Sequence, residues 1–302
     1  MALDLSRRLR PHTLADARDD YENLKAAQPT LQDFRKRAGL TALDRSFLHH
    51  RLKAKTRRHL SFFEAYQDPA LRKRLTELVV QYKKKPLQAY PTPDDLLRAQ
   101  YDVFQLYYGS VNQFKPLVAK WVYQRYAPTH GILDPSAGWG GRALAALSLG
   151  IPYTGIDANR HLAPAYRQIH QLEPTADLHM IFQPAETVDF QAFDYDLVFT
   201  SPPYFTIEEY EQMPDYPTKQ DFIDRFLVPV MRAAWRHLRR RGHMVLNMPK
   251  EMADALQPHL PPLYETVKMP IANRHPSNAV QQQRLGKQDT ERFEVLYVWR
   301  KP

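Results

Sequence analysis

GILDPSAGWGGRALAALSLGIPYTGIDAN, residues 131–159, holds a short apolar run, a glycine-rich turn, a helix-forming stretch and a second short apolar run. ILD ends at Asp134, and Gly138, Gly140 and Gly141 follow before the helical composition begins at Arg142. Glycines at such a turn let the backbone come close to a ligand, at the carboxyl end of a strand where α/β sheets bind their ligands. The second run, YTGID, ends in another acid, Asp157, 23 residues after Asp134. A carboxylate there can accept both hydroxyls of a ribose, or it can cap the helix that follows. The turn opens with Asp134 and Pro135 where a dinucleotide site has its first glycine, and this favours a nucleoside-type ligand.

Downstream the pattern repeats. LHMIF, YDLVFTSPPY and HMVLNMP are short apolar runs ending in polar residues or prolines, and DFIDRFLVPVMRAAWRHLRRRG between the last two suits a helix. Strands alternating with helices predict βαβ units and a parallel sheet buried on both faces. FEVLYVWRK near the end reads as a final strand, the antiparallel hairpin partner of one near Tyr264–Met269. The expected fold is therefore α/β and Rossmann-like, with helices on both faces and a helical N-terminal region.

YDLVFTSPPYF, residues 195–205, carries the chemistry. Pro202 and Pro203 fix their own φ, force Ser201 into an extended conformation and remove two N–H donors. A rigid edge of acceptors is left, the Ser201 hydroxyl and the Pro202 carbonyl, beside the rings of Tyr204 and Phe205. Such a set suits transfer to an exocyclic amine of a nucleobase, whose lone pair is delocalised into the ring. Acceptors on its N–H groups favour a pyramidal nitrogen, and a base flipped from a duplex can stack on the aromatics. Alone, Ser-Pro-Pro-Tyr is also an ordinary turn. It lies about 60 residues beyond the glycine turn, in a chain that already has Asp157, and this makes coincidence a poor explanation.

These residues resemble the class I S-adenosyl-L-methionine-dependent amino-methyltransferases that act on cytosine N4 and adenine N6 of DNA, phage and giant-virus relatives included. The resemblance spans roughly residues 105–302. It implies a catalytic set of Ser201, Pro202, Pro203 and Tyr204. It also implies a cofactor set of Asp134, Pro135, Ser136, Gly138, Gly140, Asp157 and Ala158, with Ala185 and Glu186. Asn112, Gln113 and Phe114 of NQFKP complete it at the methionine end. Ser at the first motif position is found mostly in cytosine-N4 enzymes, so N4 is expected ahead of adenine N6. Methylation of RNA or of a protein glutamine, and a non-catalytic nucleic-acid-binding protein, are the other readings. No metal is expected, because a sulfonium supplies the electrophile.

Composition narrows the partners. Cys is absent, which excludes disulfides, thiolate zinc sites and the thiolate that cytosine-C5 methylation needs. No run of 18 apolar residues occurs, and MALDLSRRLRPH lacks the apolar stretch of a signal peptide, so an intracellular, non-membrane protein is expected. Residues 1–90 hold 20 Lys+Arg against 10 Asp+Glu, while residues 91–302 hold 22 against 23. That asymmetry points to a polyanion, double-stranded DNA with a flipped base being expected.

The first third contains a single glycine, Gly39, and reads as helical. KKKPLQAYPTPDD, residues 83–95, looks like a linker, which predicts a basic arm over 1–95 and a catalytic domain over 96–302. On that division a chain starting near Leu96 should still bind cofactor. Two stretches are candidates for holding DNA. Arg51, Lys53, Lys55, Arg57 and Arg58 fall in an expected helix over 45–59. Arg274 and Arg284 lie between the last two strands, among Asn and Gln side chains suited to base edges. A solvated helix face and a polar hairpin loop are the plain alternatives. The acidic stretch 208–221 is expected beside the pocket, not on phosphate.

Overall fold

The computed structural model describes residues 1–56, 58–203, 216–270 and 293–302. Arg57, Tyr204, Phe205, Arg274 and Arg284 lie outside them. Among the described residues, seven strands form one sheet in the order β3-β2-β1-β4-β5-β7-β6. β1 (Ile132–Asp134), β2 (Tyr153–Ile156), β3 (Leu178–Ile181), β4 (Leu197–Thr200) and β5 (His243–Asn247) are parallel. β7 (Phe293–Arg300) runs antiparallel between β5 and β6 (Glu265–Pro270), which is the C-terminal hairpin expected from the sequence. This is the Rossmann-like sheet of the class I methyltransferase fold, with the crossover from β3 back to β4 placing a switch point beside β1.

Ahead of β1 come α1 (Ala2–Leu9), α2 (Leu14–Ala26), α3 (Leu40–Arg51), α4 (Phe62–Gln67), α5 (Pro69–Lys83), α6 (Pro93–Tyr107) and α7 (Pro116–Tyr126). Within the sheet region lie α8 (Gly141–Leu147), α9 (Ala163–His170), α10 (Lys219–Phe222), α11 (Val228–His237) and α12 (Lys250–Leu256). A π-helical turn, Ile223–Leu227, joins α10 to α11. None of the described helices is long and apolar enough to cross a membrane.

The hydrophobic packing does not divide the chain at residue 95. Tyr21 and Leu24 of α2 and Leu43 and Phe47 of α3 belong to the core that also holds Leu117 and Val122 of α7, Leu144 of α8, Ile169 of α9 and the sheet residues Ile132, Tyr153 and Leu197. A second cluster gathers Leu5 and Leu9 of α1, Leu48 and Leu52 around the end of α3, Phe62, Leu75 and Leu78 of α4 and α5, and Val103 and Phe104 of α6. Stretch 83–95 is the turn of an α5–α6 hairpin. Thr92 accepts from Asp95 N, Asp95 reaches back to Thr92, and Pro93 stands at the first helical position. Lys83 pairs with Asp102 at 2.8 Å and Gln100 donates to Thr76 at 2.8 Å, closing the hairpin.

One buried cation fastens α2 to the sheet side. Lys120 of α7 is fully buried and donates to the carbonyls of Leu24 and Lys25, both at 2.7 Å, at the C-terminal end of α2. The Leu24 carbonyl otherwise takes a 3.3 Å bond from Ala27 N at the helix end, so the ammonium supplements the cap there.

Candidate active site at the carboxyl edge of the sheet

The turn after β1 is held from beneath by a buried ion pair. Arg142, at the start of α8, donates from Nε to Asp134 Oδ2 at 2.6 Å, and its Nη2 also reaches Oδ1 and the Ser136 carbonyl. Tyr153 of β2 donates its hydroxyl to Asp134 Oδ2 at 2.5 Å. Asp134 is 0% exposed and Arg142 4%, so both charges are out of water and satisfied by each other. Burial pushes the Tyr153 hydroxyl well above its usual range, and the Asp134 charge adds to this, so it stays a donor. Tyr166 of α9 donates to the Gly138 carbonyl at 2.9 Å and fixes the turn from the other side.

Asp134, Pro135 and Gly140 are buried, and Ser136 and Gly138 are the turn residues that reach solvent. The glycines do different work. At Gly138, φ is +60° and a Cβ would meet nothing nearer than the Ser136 carbonyl at 3.8 Å, so space is open above it. At Gly140, φ is +73° and a Cβ would fall 2.6 Å from the Phe47 ring of α3. At Gly141 a Cβ would lie 2.0 Å from the Phe114 carbonyl oxygen. Gly140 and Gly141 thus admit α3 and the NQFKP segment, while Gly138 is partly exposed with open space beside it.

Asp157, just past β2, is half-buried. Its Oδ2 accepts from Gly138 N at 2.8 Å and its Oδ1 from Asn159 N at 2.8 Å. Burial pushes its carboxyl up to about 6, against the pull of those two N–H groups. The carboxylate therefore caps the following turn and, at the same time, stands beside Gly138. Ala158 is half-buried next to it, Ala185 is buried, and the exposed Glu186 accepts from the Tyr216 hydroxyl at 2.9 Å.

NQFKP lies against this turn. Phe114 packs edge-on to Phe199 of β4, ring centres 5.4 Å apart, and the Arg142 guanidinium lies 5.1 Å from the centre of the Phe114 ring. Gln113 donates to Asp44 of α3 at 3.3 Å, and its Oε1 is buried with no partner among the described residues. Asn112 is exposed and accepts from Ser110 at 3.0 Å.

Ser201, Pro202 and Pro203 follow β4 at the same edge of the sheet. Pro202 is buried; Ser201 and Pro203 are half-buried. Ser201 Oγ lies 3.5 Å from Asn247 Oδ1 at the end of β5, the outer limit of a hydrogen bond. The sequence reading missed Asn247, along with Arg142, Tyr153, Tyr166 and Phe47. One signal was available for two of them: Arg142 and Asn247 are polar residues set inside otherwise apolar runs, where a partner is required.

The basic segment departs from expectation. α3 ends at Arg51, and beyond it Thr56 N donates to the Leu60 carbonyl at 3.1 Å in a non-helical arrangement, where a helix to 59 was expected. Arg51 is turned inward, its side chain 9% exposed and ion-paired with Asp44, so it offers no free cation to a phosphate. Lys53, Lys55 and Arg58 are not buried in this way, and Arg58 lies over the Tyr107 ring at 4.9 Å. Arg239, from the basic run after α11, is held by Asp194. Among the described residues, no three His, Asp or Glu side chains gather as a metal would require.

No family model matches the chain, and no curated protein matches it. Among solved structures it is similar to TrmN from Thermus thermophilus, at 14% identity and TM-score 0.44, over 78% of this chain and 79% of that one. It is similar to the tRNA m1G37 methyltransferase of M. jannaschii, at 13% identity and TM-score 0.40, over 64% and 52%. A third is the 1,6-didemethyltoxoflavin-N1-methyltransferase of Burkholderia thailandensis, at 13% identity and TM-score 0.42, over 78% and 90%. At such values a likeness says nothing of substrate.

Proposed function

We propose that this chain transfers a methyl group from S-adenosyl-L-methionine to an exocyclic amine of a flipped base in DNA, cytosine N4 first and adenine N6 next. The observation that carries the reading is the juxtaposition along one sheet edge of the open Gly138 turn with Asp157, and of the Ser201–Pro202–Pro203 acceptor edge with Asn247. The residues fit the cofactor. Asp157 offers the ribose a carboxylate, Gly138 leaves room for the backbone to approach, and the unpartnered Gln113 Oε1 is an acceptor of the kind an ammonium takes. When bound, the sulfonium supplies an electrophilic methyl group. Ser201 and the Pro202 carbonyl would accept hydrogen bonds from the amine and hold its lone pair toward the methyl carbon; as the N–C bond formed and the methyl–sulfur bond broke, they would stabilise the positive charge growing on nitrogen, and the proton would then be lost to water. The edge is neutral, so pocket shape must do much of the sorting between cytosine and adenine.

The deciding experiment is transfer from labelled cofactor to DNA, followed by mass analysis of the nucleosides. N4-methylcytosine is expected. N6-methyladenine alone overturns the base assignment, and 5-methylcytosine overturns the mechanism.

Cofactor affinity should depend on pH through Asp157. Its carboxyl, raised to about 6, is ionised above that pH and protonated below it. Ribose hydroxyls donate best to the charged form, so calorimetric affinity should fall by up to about tenfold between pH 8 and pH 5. In the ligand-free chain the sign is opposite: the folded state holds this proton more tightly, so stability drops as pH rises from about 4 to 6. Asp157→Asn should bind about 1.5–3 kcal/mol more weakly and lose the pH dependence of binding. Equal pH profiles for both proteins would remove Asp157 from the cofactor site.

We place the phosphate-binding cations on the turn carrying Lys53, Lys55 and Arg58, beside Tyr107. Each phosphate that is no longer neutralised should flatten the slope of log affinity against log salt by about 0.9. Replacing all three cations with Gln should therefore weaken DNA binding and flatten the slope in proportion. An unchanged slope would place the DNA elsewhere.

A further inference from the structure

We propose that Asn247 is a positioning residue that sets the direction of the Ser201 hydroxyl. The inference rests on amine methylation as the reaction. Asn247 closes β5, pairs in register with Leu296 of β7 and is 3% exposed. A buried amide has two faces, two N–H donors on one and an acceptor oxygen on the other, and the partners decide which way it points. Asn247 Nδ2 donates to the Val295 carbonyl at 3.4 Å, and the Glu294 carboxylate is a second acceptor for the same amide. Both acceptors come from β7, on the side away from β4. The amide oxygen is thereby turned toward Ser201, 3.5 Å away.

The consequence is chemical. A hydroxyl is both donor and acceptor and rotates to suit its surroundings. If Ser201 donated into the cleft, it would oppose the amine N–H that the reaction requires it to accept. Facing an acceptor in Asn247, Ser201 directs its hydrogen there and keeps its lone pairs as acceptors. The 3.5 Å separation leaves the bond to shorten once a substrate amine donates to Ser201 from the other side. Lys115, the last residue before α7, sits close enough to Glu294 for the two charges to favour each other, and it donates to the Phe34 carbonyl at 2.8 Å.

The test is a mutant cycle on the full chain, read as kcat and KM for methylation of DNA, with cofactor affinity by calorimetry. Ser201→Ala and Asn247→Ala should each lower kcat on the order of ten- to hundredfold, as expected for one transition-state hydrogen bond, with cofactor affinity within twofold. The double variant should be no slower than either single one, because both changes remove the same directed acceptor. Glu294 is exposed, so Glu294→Ala tests the same point without opening the core, and kcat should fall severalfold with KM held. A double variant slowed by the product of the two single effects, or an Asn247→Ala protein of unchanged kcat, overturns the positioning role. Wild-type protein that binds cofactor yet methylates no DNA overturns the DNA reading and this role with it, an outcome distinct from either.

Discussion

A chain that begins at Leu96 will not fold. It should show no cooperative thermal transition, bind apolar dyes and fail to bind cofactor, although every motif residue is present. Its removed part includes Tyr21, Leu24, Leu43 and Phe47, which are 0–1% exposed in the intact protein because they cover α7, α8, α9 and the sheet behind them. Losing one buried Phe to Ala costs about 3–5 kcal/mol, and a whole domain is stable by only about 5–15. Four such side chains exceed that reserve. The truncation also strips Lys120 of both carbonyls it serves. Phe47→Ala is the graded version. It should fold, lose about 3–5 kcal/mol in denaturant unfolding, and weaken cofactor binding, because Phe47 fills the space against Gly140. A Leu96-start chain with a sharp melt and normal cofactor affinity would mean that α2 and α3 are an appendage after all.

That expectation reverses the one drawn from sequence, and the reason is physical. Residues 83–95 contain prolines, charges and a capping signature, and those serve a helical hairpin and a domain linker equally well. Amphipathic spacing in 14–51 says that an apolar face must be covered, but not by what. The strands were another matter. Each is a short apolar run ending at a polar residue or proline, and local composition settles it whatever lies beside it; the last strand, expected as the antiparallel hairpin partner of the run near Tyr264–Met269, pairs that way with β6. The site was legible to the same depth. Gly138, Asp157 and Ser201 announce themselves by spacing along strand ends. What holds them is separated by 19 to 46 residues: Tyr153 from Asp134, Asn247 from Ser201. Arg51 shows the limit most clearly, since it stands in a row of basic residues and differs from Lys53 only in facing Asp44.

Asp134→Ala should be the most damaging single change at the site, although the residue has no surface to offer a ligand. Its 0% exposure and its partners make it the floor of the turn. Removing the carboxylate leaves a guanidinium that is 4% exposed with the Ser136 carbonyl as its remaining acceptor, and leaves the buried Tyr153 hydroxyl without its acceptor. Breaking a buried ion pair from one side costs roughly 3–5 kcal/mol, far more than the pair contributes over an apolar replacement of both partners. Asp134→Ala should therefore lose about that much in urea unfolding, and cofactor affinity should fall with it as the Gly138 turn loosens. Adding Arg142→Met to Asp134→Ala removes the stranded charge while keeping a long apolar stem over Phe114. The double variant should recover a large part of the lost stability, in contrast to the usual accumulation of damage. Cofactor affinity should not recover, because the turn from Ser136 to Gly138 would then lack both the Asp134 carboxylate beneath it and the guanidinium that fixes the Ser136 carbonyl. Recovery of both together would show that Asp134 and Arg142 only fill space, and a single variant within about 1 kcal/mol of wild type would show that the ion pair does not support the turn at all.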